Sequence, residues 1–130
     1  MISLILDSHV LIWAVDTPAK IPATSMLAMR DPAVKRFVSA ATIWEIAIKF
    51  GNGRLPLSLP YRLWIDKAIR DLVLDILPIT LDHAEFQSGL PFHHRDPFDR
   101  LLASQSLVEG IPLISIDVAF DAYGVNRIWN

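Results

Sequence analysis

Two short apolar runs in this sequence stop on an aspartate: Ile2 to Leu6 runs into Asp7, and Pro112 to Ile116 runs into Asp117. Read as parallel strands, they place both carboxylates on one edge of a sheet, where the functional crevice of an open α/β sheet lies. Two helical segments add further acids. Glu45 stands among Ile, Trp and Ala between Ser39 and Lys49, and a lone Glu in such surroundings is costly to bury unless it is paired or metal-bound. Asp96 and Asp99 are three apart at a helix start and so share a face. Carboxylates gathered in one cleft repel and raise each other's pKa. A divalent cation relieves that strain, and carboxylate oxygens without cysteine suit a hard ion such as Mg²⁺ or Mn²⁺.

Each acid also has a purely structural role open to it. Asp7 and Asp117 could cap the turns that follow them. Asp96, followed by Pro97, is an orthodox N-cap, and Asp99 falls where an acid favours the helix dipole. Glu45 could pair with Lys49 one turn on. Separate caps need not converge on one cleft, whereas a metal site requires it.

The elements that must position these groups alternate along the chain. Strands are expected over 2–6, 36–39, 74–79 and 112–116, with a last short one within 125–129. Helices are expected over 8–15, 22–30, 40–50, 61–72, 81–89 and from Asp96-Pro97 to Glu109. Asp16-Thr17-Pro18, Asp31-Pro32, Gly51-Asn52-Gly53 and Gly110 supply the stops. Such alternation means an α/β fold with a mainly parallel sheet, and the mostly apolar first strand is expected to be buried on both faces. No repeat, linker or low-complexity tract interrupts the chain, so residues 1–130 read as one domain.

Composition narrows the function classes. The chain is 52% hydrophobic and 20% charged, which excludes a disordered protein and points either to a well-filled core or to apolar surface that a second chain covers. A net charge of -2 argues against a protein that coats DNA by bulk positive charge. The absence of cysteine rules out disulfides, thiolate zinc sites and a thiol nucleophile together. Nothing resembles a signal peptide or a membrane span, so the expected location is the cytoplasm. No P-loop or Gly-rich dinucleotide fingerprint occurs. A phosphotransfer enzyme with Asp7 as nucleophile would need an acid at position 9, where this chain has His9.

Four blocks, Leu6–Trp13, Ser39–Lys49, His93–Leu102 and Ile114–Asp117, together resemble the PIN domain and, more narrowly, the VapC-type toxins of bacterial type II toxin–antitoxin pairs. The resemblance covers essentially the whole chain. It implies a three-layer α/β/α sandwich, an endoribonuclease dependent on Mg²⁺ or Mn²⁺, a cognate antitoxin and a homodimer. On the family's pattern Asp7, Glu45, Asp99 and Asp117 take the acidic positions, with Asp96 an accessory acid and Asp7 and Asp99 the direct metal ligands. Ser115 matches a position that often holds Ser or Thr, which could orient a carboxylate or a water. Cleavage of this kind leaves a 5′-phosphate and a 3′-hydroxyl. A non-catalytic PIN-like module binding RNA or protein is the alternative.

Substrate phosphates need positive charge nearby. Arg95 and Arg100 flank the paired aspartates, and Lys49 and Arg54 follow Glu45; Arg100 could instead pair internally with an acid. His93 and His94 read as surface loop residues. Trp13 and Trp44 read as core or interface rather than as base-stacking platforms. Leu11, Ile12, Trp13, Val15, Met26, Leu27 and Met29 supply more apolar side chains than one helix face needs, which would suit a partner helix.

Overall fold

The computed structural model describes residues 2–130. Its strands are β1 (Ser3–Leu6), β2 (Lys35–Ser39), β3 (Leu74–Leu77), β4 (Leu113–Ile114) and β5 (Arg127–Ile128). They form one sheet in the order β3-β2-β1-β4-β5 with every pairing parallel. Successive side chains of β1 point to opposite faces, as the pleat requires. Leu4 and Leu6 enter one core and Ile5 the other, all fully buried. The central strand is therefore apolar on both sides, and helices must cover both.

The helices are α1 (Ser8–Asp16), α2 (Ala23–Arg30), α3 (Ala40–Gly51), α4 (Tyr61–Asp71), α5 (Leu81–Ser88) and α6 (Pro97–Glu109). Val10 and Leu11 of α1, Met29 of α2, Ile46 of α3 and Trp64, Ile65 and Ala68 of α4 fill the core with Leu4 and Leu6. On the opposite face Leu102 and Ala103 of α6 pack with Ile5, Leu113 and Phe120, and α5 lies against α6. The result is a three-layer α/β/α sandwich. Strand order reverses at β1, whose neighbours β2 and β4 are reached in opposite directions. That is the switch point at which open parallel sheets form a crevice at their carboxyl ends.

Three expectations change. The strand expected over 112–116 contracts to Leu113–Ile114, and Asp117 caps a 3-10 helix, Val118–Tyr123, by accepting the Ala119 N–H at 2.9 Å. Asp117 therefore does not end a strand directly. The strand expected to reach 79 stops at Leu77, before Pro78, which has no N–H to continue the ladder. The apolar excess of the first two helices goes inward: Leu11 and Met29 are buried, Ile12, Trp13, Val15 and Met26 pack on the core, and Leu27 stands out to solvent.

At the opposite end of the sheet Arg36 is buried, with Nε donating to the Leu72 carbonyl at 2.8 Å and Nη1 to the Asp31 carbonyl at 2.7 Å. Those carbonyls end α4 and α2, where the helix dipoles are negative, so the guanidinium caps two helices at once. Hydrogen bonds to a charged donor contribute about 1.5–3 kcal/mol each. Replacing Arg36 by Leu is expected to cost about 3 kcal/mol, read as a lower urea midpoint at unchanged slope. Arg36→Lys should recover part at most, because one ammonium lacks the fork that spans both carbonyls.

Candidate active site

The crevice at the switch point is acidic, and the elements around it explain why each acid is there. Asp7 follows β1 and caps α1, accepting the His9 N–H on Oδ1 at 3.0 Å. Its other oxygen accepts the Ser115 hydroxyl, and Ser115 Oγ in turn accepts the Asp117 N–H at 3.0 Å. Ser115 is fully buried, and it ties the end of β1 to the segment after β4. Asp7 is itself only 3% exposed. With an oxygen held by Ser115 and the other by the helix N-terminus, its carboxylate cannot rotate freely.

Asp96 caps α6 through the Phe98 and Asp99 N–H groups at 2.8 and 3.3 Å. Asp99 lies one turn in on the same face, where it feels the charges of Asp96, Asp7 and Glu45. Glu45 enters from α3, buried, with Lys49 Nζ at 2.8 Å from Oε2. This ion pair is half inside the protein rather than on its surface, since the Glu45 side chain is 6% exposed and that of Lys49 42%. The Lys49 ammonium is held charged above its ordinary pKa by its hydrogen bond to Glu45, against the opposing effect of burial.

His94, read from sequence as a surface residue, is part of this cluster. Its Nε2 sits 3.0 Å from Asp99 Oδ2 and 3.1 Å from Asp117 Oδ2. Its Nδ1 accepts the Asp96 N–H at 3.2 Å, and its own N–H donates to the Tyr123 hydroxyl at 2.8 Å. With Nδ1 accepting, Nε2 carries the proton and donates between the two carboxylates. The nitrogen and one oxygen from each acid lie within 4.8 Å of one another. The signal for His94 was its place two residues before a capping aspartate, where the turn folds the ring back on the Asp96 N–H.

Arg100 is a correction. It is buried, and its guanidinium donates to the carbonyls of Pro91 at 2.8 Å and Leu90 at 3.0 Å. It binds loop carbonyls, not substrate or an acid, because one residue past Asp99 points away from the acidic face of α6. Arg95 is exposed on the loop before α6, and Lys49 lies beside Glu45. Asp121 pairs with Arg127 at 2.9 Å, apart from the cluster.

Burial pushes the Asp99 carboxyl up to about 7, with the negative charges of Asp96, Asp7 and Glu45 adding to the rise and His94 opposing it. Five carboxylates, one lysine and one imidazole form a site with more negative than positive charge. Its oxygen donors suit a hard divalent cation, and among the described residues His94, Asp99 and Asp117 are the ones whose donor atoms lie close enough together to share an ion.

Comparison with known proteins identifies the family and the fold. The family model described as the PIN domain matches residues 4–126. No curated protein sequence matches the chain. Among solved structures, VapBC2 from Rickettsia felis, bound to a DNA fragment from its promoter, superposes with a TM-score of 0.74 at 14% identity, covering 99% of this chain and all 100% of that one. FitAcB from Neisseria gonorrhoeae gives 0.68 at 16%, covering 98% and 96%. A toxin–antitoxin complex from Klebsiella pneumoniae gives 0.67 at 16%, covering 96% and 95%. At these identities the likeness is one of fold.

The raised Asp99 has a consequence for stability without metal. Its ordinary carboxyl value is 3.8 and its folded value about 7, so folding favours the protonated acid. That contribution is whole below about pH 4 and is lost as pH rises through 7. In EDTA the protein should therefore lose stability between about pH 4 and pH 7, and Asp99→Asn should flatten the fall. Denaturant unfolding at the two ends of that range checks this; equal slopes in both proteins would sink it.

Proposed function

The chain belongs to the PIN domain family, and from that premise we propose that it is the toxin of a VapC-type toxin–antitoxin pair, a divalent-metal-dependent endoribonuclease. The observation that carries this reading is the partly buried carboxylate cluster at the switch point, with Asp99 pushed to about 7. A stable fold does not need so much negative charge in one cleft; a bound cation and a phosphodiester do. Residues 1–130 act as a single PIN domain in this reading, working in the cytoplasm. Among the described residues no helix is long and apolar enough to cross a membrane.

Asp7 and Asp99 hold the ion, Mg²⁺ or Mn²⁺, with Glu45, Asp96 and Asp117 setting the surrounding charge. When bound, that ion supplies Lewis-acid chemistry, drawing charge from the phosphate and strengthening water as an acid. Ser115 fixes the orientation of Asp7. Lys49, beside Glu45, and Arg95, on the exposed loop, attract the RNA backbone. Arg100 acts at one remove, by tying down the loop that leads to Asp96. In this reading no protein nucleophile is needed, which suits the absence of cysteine; water attacks, and the products carry a 5′-phosphate and a 3′-hydroxyl.

The partner is a cognate antitoxin, supported by the likeness in fold to a toxin–antitoxin complex, and the working assembly is a homodimer. The first two helices lend this little support, since most of their apolar side chains are in the core.

Purified, antitoxin-free protein is expected to cleave labelled total RNA in Mg²⁺ and to stop in EDTA. Asp7→Asn and Asp99→Asn should each lower the rate by about a hundredfold or more while remaining folded by circular dichroism. RNA left intact by wild type, with cell growth unaffected when the protein is induced alone, would overturn the nuclease in favour of a non-catalytic PIN-like module.

A further inference from the structure

Proximity alone would make His94, Asp99 and Asp117 the ligands of one ion, since a nitrogen and two oxygens lie within 4.8 Å of one another. The far side of the imidazole points the other way. A histidine that binds metal through one ring nitrogen almost always donates the N–H of the other to a carbonyl, carboxylate or water. In this protein the other nitrogen, Nδ1, faces a donor, the Asp96 N–H at 3.2 Å. A hydrogen on Nδ1 would meet that N–H head on. The ring therefore carries its hydrogen on Nε2, aimed at Asp99 Oδ2 at 3.0 Å and Asp117 Oδ2 at 3.1 Å. Turning the ring over would set carbon against the Asp96 N–H and against both acids. The backbone is held as well, because the His94 N–H donates to the Tyr123 hydroxyl at 2.8 Å.

We propose that His94 is a fixed hydrogen-bond donor standing where a second cation would otherwise bridge Asp99 and Asp117, so that the cleft takes a single divalent ion. The inference rests on the metal-dependent reading above and deepens it. Two carboxylates brought this close repel, and a positive group between their oxygens relieves the repulsion. An ion bonded to both at about 2.0–2.1 Å would need the gap that the N–H already fills. The imidazole cannot join such an ion as a ligand while Nε2 carries the hydrogen, and a hard ion gains little from nitrogen in exchange. Asp99 gives Oδ2 to His94 and keeps Oδ1 for the ion it shares with Asp7. Asp117 has both oxygens engaged, Oδ2 by His94 and Oδ1 by the Ala119 N–H at 2.9 Å.

A role confined to tying down the loop fits less well. The loop is already held by Tyr123 at the His94 backbone and by Arg100 at the carbonyls of Leu90 and Pro91. None of those bonds needs a ring nitrogen aimed between two acids.

The test uses the full chain without RNA, titrated with Mn²⁺ alone, with bound ions counted by electron paramagnetic resonance. Wild type is expected to bind one ion per chain and His94→Ala two. Adding Asp117→Asn to His94→Ala should return the count to one. The pulsed spectrum of Mn²⁺ on wild type should lack the nitrogen coupling of a directly bound imidazole. Two ions on wild type would overturn the proposal, and so would that nitrogen coupling, which would make His94 a ligand. Should His94→Ala fail to fold, the coupling decides alone. One ion on wild type and on folded His94→Ala alike, with RNA cleaved by wild type in Mg²⁺, sinks the proposal and leaves the nuclease standing. If wild type binds no Mn²⁺ and leaves RNA intact, the metal-dependent reading falls with it.

Discussion

The architecture turns on one electrostatic constraint: several carboxylates must be held close together, partly out of water, without a matching number of basic side chains. Two charges a few ångströms apart repel more strongly as the effective dielectric falls. The sandwich concentrates that difficulty at the carboxyl edge of β1, β2 and β4. It also supplies an answer. In a parallel sheet the helix after each strand begins at this edge, so the positive ends of α1, α3, α6 and the 3-10 helix at Val118–Tyr123 all lie near the acids.

Three of the five acids use that answer directly. Asp7, Asp96 and Asp117 each cap one of those helices, accepting N–H groups at 2.8–3.3 Å. Asp99 and Glu45 have no such cap. Glu45 takes Lys49 instead, and Asp99, left with the imidazole of His94, is the acid whose pKa climbs to about 7. The distribution is physically consistent: the rise falls on an acid that neither accepts a capping N–H nor pairs with a lysine. It also shows that Asp7 and Asp96 both act as caps, the structural role the residues left open for them. Capping occupies lone pairs on one carboxylate oxygen and leaves others free, so a capping aspartate can also be a ligand.

Much of the fold was legible because it follows from local pattern. A mostly apolar β1, bracketed by helix signals, has nowhere to go but the middle of a parallel sheet. The acids were legible as a set for the same reason, since strand ends and helix starts meet at one edge. What could not be read depends on side-chain direction across long separations. Ser115 reaches Asp7 over more than a hundred residues, and no periodicity encodes that. His94 was missed because only its place before the capping Asp96 marks it locally; its partners Asp99 and Asp117 come from α6 and from the turn after β4. Trp44, read as core or interface, is not core, because helical spacing cannot distinguish a face turned to the sheet from one turned outward.

Arg100 illustrates how a charge next to a catalytic candidate can belong to the scaffold. Successive helix residues are about 100° apart, so the face that carries Asp96 and Asp99 toward the crevice carries Arg100 toward α5. There its guanidinium meets the carbonyls of Leu90 and Pro91, with the ring of Phe92 4.0 Å from it. Those residues begin the loop that ends at His94 and Asp96. A buried cation bonded to carbonyls cannot leave without stranding both itself and them, so the loop has one stable path. That path fixes the Asp96 N–H against His94 and the His94 proton between Asp99 and Asp117. Arg100 thereby governs the geometry of the cluster from the side of α6 that faces away from it.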